Sequence, residues 1–246
     1  MAVQLSLVAG GGTIAPSGPV KACAPAQGKP HPHGSDQLPV PPQPTLSELF
    51  SVSPRDGGWA GFVLPRIDRA KPLLWVQERM AILESGRIYP PGLPFAELIH
   101  VEARDARAAL WAMEEGLRCT ALSAVIGELW GDPAALDFTA TRRLAVAAER
   151  FGVAAFLIRL GGHANLSGAR MRWRIASAPS VPNPLDPRAP GAPVWDAELF
   201  RARGAVPGRW VVAHEGADDD RAEDPVDLAA GAGDRALGEA ERRKRA

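Results

Sequence analysis

The sequence predicts an α/β domain, built on a mainly parallel sheet with helices on both faces and an antiparallel extension at its C-terminal edge. Two observations predict this class. Between residues 72 and 158, apolar runs of strand length alternate with segments of helical periodicity, and the connections are short. Beyond residue 170, strand-like runs follow one another with Pro and Gly between them and no helical segment.

The predicted strands are short runs of apolar or alternating residues. They cover, in order, residues 72–77, 97–102, 121–129, 153–158, 171–178, 195–203 and 210–214. Two upstream segments leave alternatives open. Residues 45–50 fit a first strand or a short helix, and residues 58–67 fit a short helix stopped by Pro65 or an edge strand.

Two longer helices are predicted between the strands. Over residues 104–118, apolar residues recur at three- and four-residue spacing, and Asp105 is suited to cap the helix start. Residues 137–151 show the same periodicity, and Gly152 follows where a left-handed C-terminal cap belongs. Each helix therefore has one apolar stripe to pack on the sheet.

The two ends of the chain differ in composition from the middle. Residues 1–45 hold nine Pro and six Gly but three charged residues, and residues 215–246 hold ten acids and six bases. Neither segment has enough apolar surface to offset the entropy of ordering it. We therefore expect a disordered arm over 1–45, one α/β domain over 46–214 and a disordered charged tail over 215–246.

Composition excludes several classes of protein. The 28 basic residues balance the 28 acidic ones, which excludes a uniformly basic nucleic-acid binder but not a local patch. Two cysteines cannot form a disulfide scaffold or a four-thiolate zinc site, and the five His show no metal-ligand spacing. No run approaches the roughly 18 apolar residues of a membrane span. A cytoplasmic protein with no metal or cofactor is expected.

A parallel sheet of this kind prompts a search for a phosphate-binding loop after the first strand. Such a loop needs glycines, a Lys that reaches the phosphates and a Ser or Thr that holds Mg²⁺. Residues 51–58 contain two glycines and no Lys, and no Lys in the sequence is followed by Ser or Thr. Glu128, near the end of a predicted central strand, is where nucleotide hydrolases place an acid. Without the loop we expect it to pair locally, as a degenerate acidic position.

The positive signal is a set of arginines. Residues 157–214 contain eight Arg, no Lys and three acids. In a strand, Arg170, Arg172 and Arg174 share one face, and we expect Arg201, Arg203 and Arg209 to extend that stripe. The spacing suits contacts to DNA phosphates or to a protein partner. The alternative is a solvated edge strand whose charges prevent unwanted pairing.

Six motifs, taken in order, resemble the ImuA family, accessory proteins of SOS-induced mutagenesis. They read PLLWVQ (72–77), GRIYPPGL (86–93), DARAALWAMEEGL (105–117), GELWGDP (127–133), LDFTATRRL (136–144) and RMRWRI (170–175). The resemblance runs from about residue 46 to 214 and is most specific around residues 105–151.

The resemblance implies a RecA-like core and a role in error-prone translesion DNA synthesis in the DNA-damage (SOS) response. It also implies work with an ImuB-like inactive polymerase homologue and an error-prone DNA polymerase, with DNA and RecA as further candidate partners. Localisation to the cytoplasm, with association to the nucleoid after damage, follows from the same role. Some relatives retain a nucleotide-binding loop, from which this sequence departs.

The sequence therefore favours a non-catalytic scaffold for translesion synthesis. Two alternatives remain. A degenerate, DNA-stimulated ATPase would rest on the fold and on Glu128. A SulA-like inhibitor of cell division would rest on a related branch of the same fold.

Overall fold

A computed structural model describes residues 4–7, 38–93, 95, 97–183, 185–186 and 188–213. Within this part of the chain the backbone forms nine strands and four α-helices. The strands are β1 (Gln4–Leu7), β2 (Leu46–Ser51), β3 (Leu73–Glu78), β4 (Leu98–Ala103), β5 (Ala124–Trp130), β6 (Ala154–Leu160), β7 (Met171–Ala178), β8 (Val194–Ala202) and β9 (Gly208–Ala213). The helices are α1 (Gly58–Val63), α2 (Arg79–Ser85), α3 (Ala106–Gly116) and α4 (Phe138–Phe151).

All nine strands join one sheet in the order β1-β4-β3-β5-β6-β2-β7-β8-β9. The six from β4 to β7 run parallel, whereas β1 at one edge and β8 and β9 at the other are antiparallel. Strand β2 lies between β6 and β7, so strands β3 to β6 lie on one side of it and strands β7 to β9 on the other. The predicted α/β class is confirmed, including its antiparallel C-terminal extension.

Two apolar clusters, one on each face of the sheet, form the core. Helices α3 and α4 cover the first face, where Met113, Leu144 and Leu157 are buried. Helices α1 and α2 cover the second, where Trp59 and Trp173 are buried. We call these the α3/α4 face and the α1/α2 face. Burial on both sides explains why the central strands read as nearly continuous apolar runs.

Several upstream expectations are now decided. Residues 46–51 form a strand rather than a helix, and residues 58–63 form a helix followed by a 3-10 turn that contains Pro65. Helix α2 was not predicted from the sequence. Residues 4–7, which were predicted to belong to a disordered arm, form strand β1 and pair with β4. The rest of the arm up to residue 37, and the tail from residue 214, lie outside the described residues.

Both long helices begin at an aspartate cap, of which Asp105 was predicted from the sequence. Asp105 accepts a hydrogen bond from the Ala108 amide at 2.8 Å, and Asp137 accepts one from the Ala140 amide at 2.7 Å. These bonds satisfy amides that have no partner within the helix. Helix α4 ends at Gly152, whose φ of 68° is left-handed, as the sequence predicted.

Replacing Asp137 with alanine is expected to lower the free energy of unfolding by about 1 kcal/mol, because the first turn of α4 loses its cap. Urea denaturation measures the loss. Thr139→Ala, at an exposed position of the same turn, serves as the control. Equal losses in the two variants would show that the cap does not stabilise the helix.

No helix among the described residues combines the length and apolar character needed to cross a bilayer.

Candidate functional site

The arginines predicted to form a stripe lie on the α3/α4 face of strand β7 and at its start. Met171 and Trp173, which alternate with them, are buried on the opposite face. The alternation expected of a strand over this segment is therefore present. The sequence predicted that these guanidinium groups would be available to a ligand, whereas in the structure each one contacts a carboxylate.

Each of the three arginines has a carboxylate partner. Arg170 donates two hydrogen bonds to Glu149, at 2.5 and 3.0 Å, and these bonds lower the pKa of Glu149 and raise that of Arg170. Arg174 donates to Glu198 at 3.0 Å near the surface. Arg172 is buried. A continuous exposed stripe over 170–174 is therefore not what the fold presents, because its central member faces the protein interior.

The partner of Arg172 is Glu48, a fully buried carboxylate on the central strand β2. Arg172 Nε donates to Glu48 Oε2 at 2.8 Å, and Arg159 Nη1 donates to Glu48 Oε1 at 2.7 Å. The other end of Arg159 pairs with Asp132, which also contacts His163. The Glu48 carboxylate thus binds two buried guanidinium groups, one from each of the strands β6 and β7 that flank β2.

Sequence reasoning missed this cluster, although a signal was present. Glu48 and Arg159 are single charges inside otherwise apolar strands, LSELFS and AAFLIRL. A charge in such a run is almost never buried without a partner. Among the described residues, Arg159 Nε and Arg172 Nη2 are buried without a hydrogen-bond acceptor. The Cζ atoms of both arginines lie 5.4 and 5.3 Å from the centre of the Phe50 ring.

Arg201 and Arg203 lie beside the stripe, as the sequence suggested. Arg201 pairs in register with Arg172, and the Arg203 amide donates to the Arg170 carbonyl at 2.8 Å. A third arginine, Arg142 on α4, joins them and was not predicted. Together these residues line a cleft of about 360 Å³, which we call the arginine cleft. Its walls are Phe138, Arg142, Ser167, Gly168, Ala169, Arg170, Arg201, Ala202 and Arg203.

The arginine cleft exists because the segment between β6 and β7 packs against α4. The Gly168 amide donates to the buried Thr141 hydroxyl at 2.9 Å. An added Cβ at Gly168 would lie 2.6 Å from the Cα of Arg142, so only glycine permits this approach. The contact brings the Arg142 side of α4 next to the ends of β7 and β8.

A second cleft, of about 340 Å³, lies at the carboxyl ends of the central strands, where α/β sheets commonly bind ligands. We call it the carboxyl-end cleft. It includes the loop after β2, and its walls include Asp56, Trp59, Trp75, Gln77 and Glu128. A phosphate-binding loop after β2 would lie at this location.

Glu128 is buried in this cleft and makes local hydrogen bonds, as expected. Trp75 Nε1 donates to its Oε1 at 2.5 Å, and Gln77 Nε2 donates to the same oxygen at 3.1 Å. Gln77 Oε1 in turn lies 3.1 Å from Nε2 of the buried His100. Burial raises the pKa of Glu128 to about 7 and lowers that of His100. The three neighbouring strands are thus joined by one buried polar network.

Replacing Glu128 with glutamine is expected to change how stability depends on pH. Since folding raises the pKa of Glu128 to about 7, its contribution is fully present below the ordinary pKa of the acid and is lost as pH rises through about 7. Glutamine keeps the acceptor and carries no charge. Between about pH 5 and about pH 8, wild type should lose up to ~3 kcal/mol relative to the variant.

Urea denaturation at the two pH values measures that difference. Glu115→Gln, at an exposed position of α3, is the control and should show no such relative change. If the free energy of unfolding of wild type, relative to that of Glu128→Gln, were the same at both pH values, the result would contradict a buried Glu128 that is neutral below about pH 7.

The loop after β2 also places a carboxylate at the start of α1. Asp56 Oδ1 accepts the Gly58 amide at 2.8 Å, and Asp56 Oδ2 accepts the Ser177 amide at 2.8 Å. The start of a helix after the first strand is where a phosphate would be bound in a nucleotide site. Here a side chain of the protein itself occupies that position. The Asp following Pro54-Arg55 was a usable signal, since Asp is a favoured residue at helix starts.

Two comparisons with known proteins bear on the identity of the chain. No protein-family model matches the chain. The chain is similar to Protein ImuA from two strains of Caulobacter vibrioides, with 38% identity over 150 residues. The alignment covers 57% of this chain and 59% of the relative, so the chain spans less than two thirds of that protein's length. The similarity to Protein ImuA agrees with the resemblance that the six sequence motifs indicated.

Proposed function

We propose that this protein is a non-catalytic accessory factor in the DNA-damage response, which helps assemble an error-prone translesion synthesis complex. The similarity to Protein ImuA supports a damage-related role. The observation in the fold that supports a scaffold over an enzyme is the Asp56 carboxylate at the start of α1.

The negative charge of Asp56 opposes the binding of a triphosphate at the start of α1. A nucleotide site after the first strand offers free backbone amides and a Lys to the phosphates. In this protein the Gly58 amide already donates to Asp56, and residues 51–58 contain no Lys. A triphosphate would have to displace a fixed carboxylate and approach its negative charge. The same loop is tied to β7 through Ser177, so moving it would break further bonds.

Glu128 fits the same interpretation. An acid that orders Mg²⁺ in a nucleotide hydrolase is ionised and accepts from metal-bound water. Glu128 accepts instead from Trp75 and Gln77, and burial raises its pKa to about 7. The residue therefore serves the buried network of the sheet in this proposal.

The partners in this proposal are an ImuB-like inactive polymerase homologue and an error-prone DNA polymerase, with DNA and RecA as further candidates. The family resemblance supplies these partners. The protein would act in the cytoplasm and at the nucleoid after damage.

The test is mutation frequency after DNA damage in a strain that lacks the protein. We expect the frequency to fall, and we expect both wild type and Glu128→Gln to restore it. Titration with labelled ATP, with and without single-stranded DNA, accompanies the assay and should show no binding.

Two results would overturn the proposal. ATP turnover that Glu128→Gln abolishes, together with failure of that variant to restore mutagenesis, would identify the degenerate ATPase. Filamentous cells on overexpression, with unchanged mutation frequency in the deletion strain, would identify the division inhibitor.

A further inference from the structure

The arginine cleft is lined by four arginines and no acidic residue. Arg142, Arg201 and Arg203 are exposed. Among the described residues, none of these three side chains donates a hydrogen bond to a carboxylate or forms an ion pair with one, whereas the nearby Arg143, Arg170 and Arg174 do. Glu149 is the carboxylate next to this cleft, and Arg170 holds it through two hydrogen bonds. The cleft therefore carries three guanidinium groups that no carboxylate holds by a hydrogen bond, and the charge of Arg203 also helps to lower the pKa of Glu149.

From this arrangement we infer that the arginine cleft binds the phosphate backbone of single-stranded DNA. The inference rests on the damage-related function proposed above and names the ligand class and the residues that would bind it. All charged groups on the cleft are arginines, whose planar forks match phosphate oxygens two at a time.

A nucleic acid fits the cleft better than an acidic protein segment because of Phe138. This ring is 42% exposed at the first position of α4 and lines the same cleft as the arginines. An exposed aromatic beside a basic groove is the arrangement on which unpaired bases stack. Ser167, Gly168 and Ala169 form a wall of small residues, which leaves room for a backbone to approach.

The fold also explains why the arginines are free. Antiparallel pairing places Arg201 beside Arg172 and Arg203 beside Arg170, but the nearby carboxylates Glu48 and Glu149 are already held by β6 and β7 arginines. Two like charges side by side on neighbouring strands are destabilising unless a counterion is present. A bound phosphate would supply that counterion.

The test measures binding of the purified full chain to a labelled oligodeoxythymidylate across a series of salt concentrations. The variant is the triple substitution Arg142→Ala, Arg201→Ala and Arg203→Ala. Its matched control is Arg79→Ala, Arg107→Ala and Arg188→Ala, which removes the same charge from exposed positions outside the cleft. Thermal melting checks that both triple variants are folded.

We expect the cleft variant to bind weakly and to lose about 0.7 from the slope of log affinity against log salt for each phosphate contact removed. The control should keep the wild-type slope. Phe138→Ala should weaken binding about fivefold or more while the slope stays unchanged, because stacking releases no counterion.

Equal slopes for the cleft variant and its control would overturn the inference. So would a poly-glutamate peptide that competes as well as the oligonucleotide, with no effect of Phe138→Ala, since that result assigns the cleft to an acidic protein partner. Failure here is separable from failure of the proposed function. Unchanged mutation frequency in the deletion strain would contradict the proposed function. Only the binding measurements test whether the arginine cleft binds single-stranded DNA.

Discussion

Replacing Glu48 with glutamine is expected to lower the free energy of unfolding by about 3–5 kcal/mol, the usual cost of breaking a buried ion pair. Glutamine keeps the size of the side chain but removes its charge. Arg159 and Arg172 would then share no carboxylate, although both remain in the interior. Asp132 pairs with one end of Arg159 only, so it cannot neutralise both cations.

The control is Glu198→Gln, which breaks the exposed pair with Arg174 and should cost about 0–1 kcal/mol. Urea denaturation of the purified variants measures both losses. A second variant, Glu48→Gln with Arg172→Met, should recover part of the loss because it removes one of the unpaired charges. A loss for Glu48→Gln as small as that of the control would show that water reaches the cluster.

The second large effect is expected for Trp173→Ala, which should cost about 3–5 kcal/mol. Trp173 lies on β7 and is buried on the α1/α2 face. Its ring packs against Phe62 of α1, with centroids 5.2 Å apart, and against Trp210 of β9, with centroids 5.9 Å apart. Alanine would leave a cavity between a helix and two strands that cannot all move inward.

Trp111→Ala provides the matched control, since this Trp on α3 is 46% exposed. Its loss should be smaller because much of the ring already contacts solvent. Denaturant midpoints of the two variants give the comparison. A loss at Trp111 equal to that at Trp173 would contradict the assignment of Trp173 to the core.

Local chemistry explains which parts of the fold were predictable. The cap Asp105 and the left-handed Gly152 act within a few residues of themselves, and both were found from the sequence. Strand β7 was found as well, because its alternation of Arg with Met and Trp depends only on the strand repeat of two. Helix α2 was not found, because its seven residues are too few to show a clear helical period.

The sequence by itself determined the α/β class, the two long helices, the antiparallel C-terminal edge and the face that each β7 residue takes. Tertiary structure alone decided which arginines are available. Arg172 became interior because Glu48 lies beside it on β2, 124 positions earlier in the chain. Arg142 lines the same cleft as Arg201 because Gly168 allows the segment between β6 and β7 to pack closely against α4. Charge pairing depends on distance in space, and the sheet order that sets this distance is not a local property of the sequence.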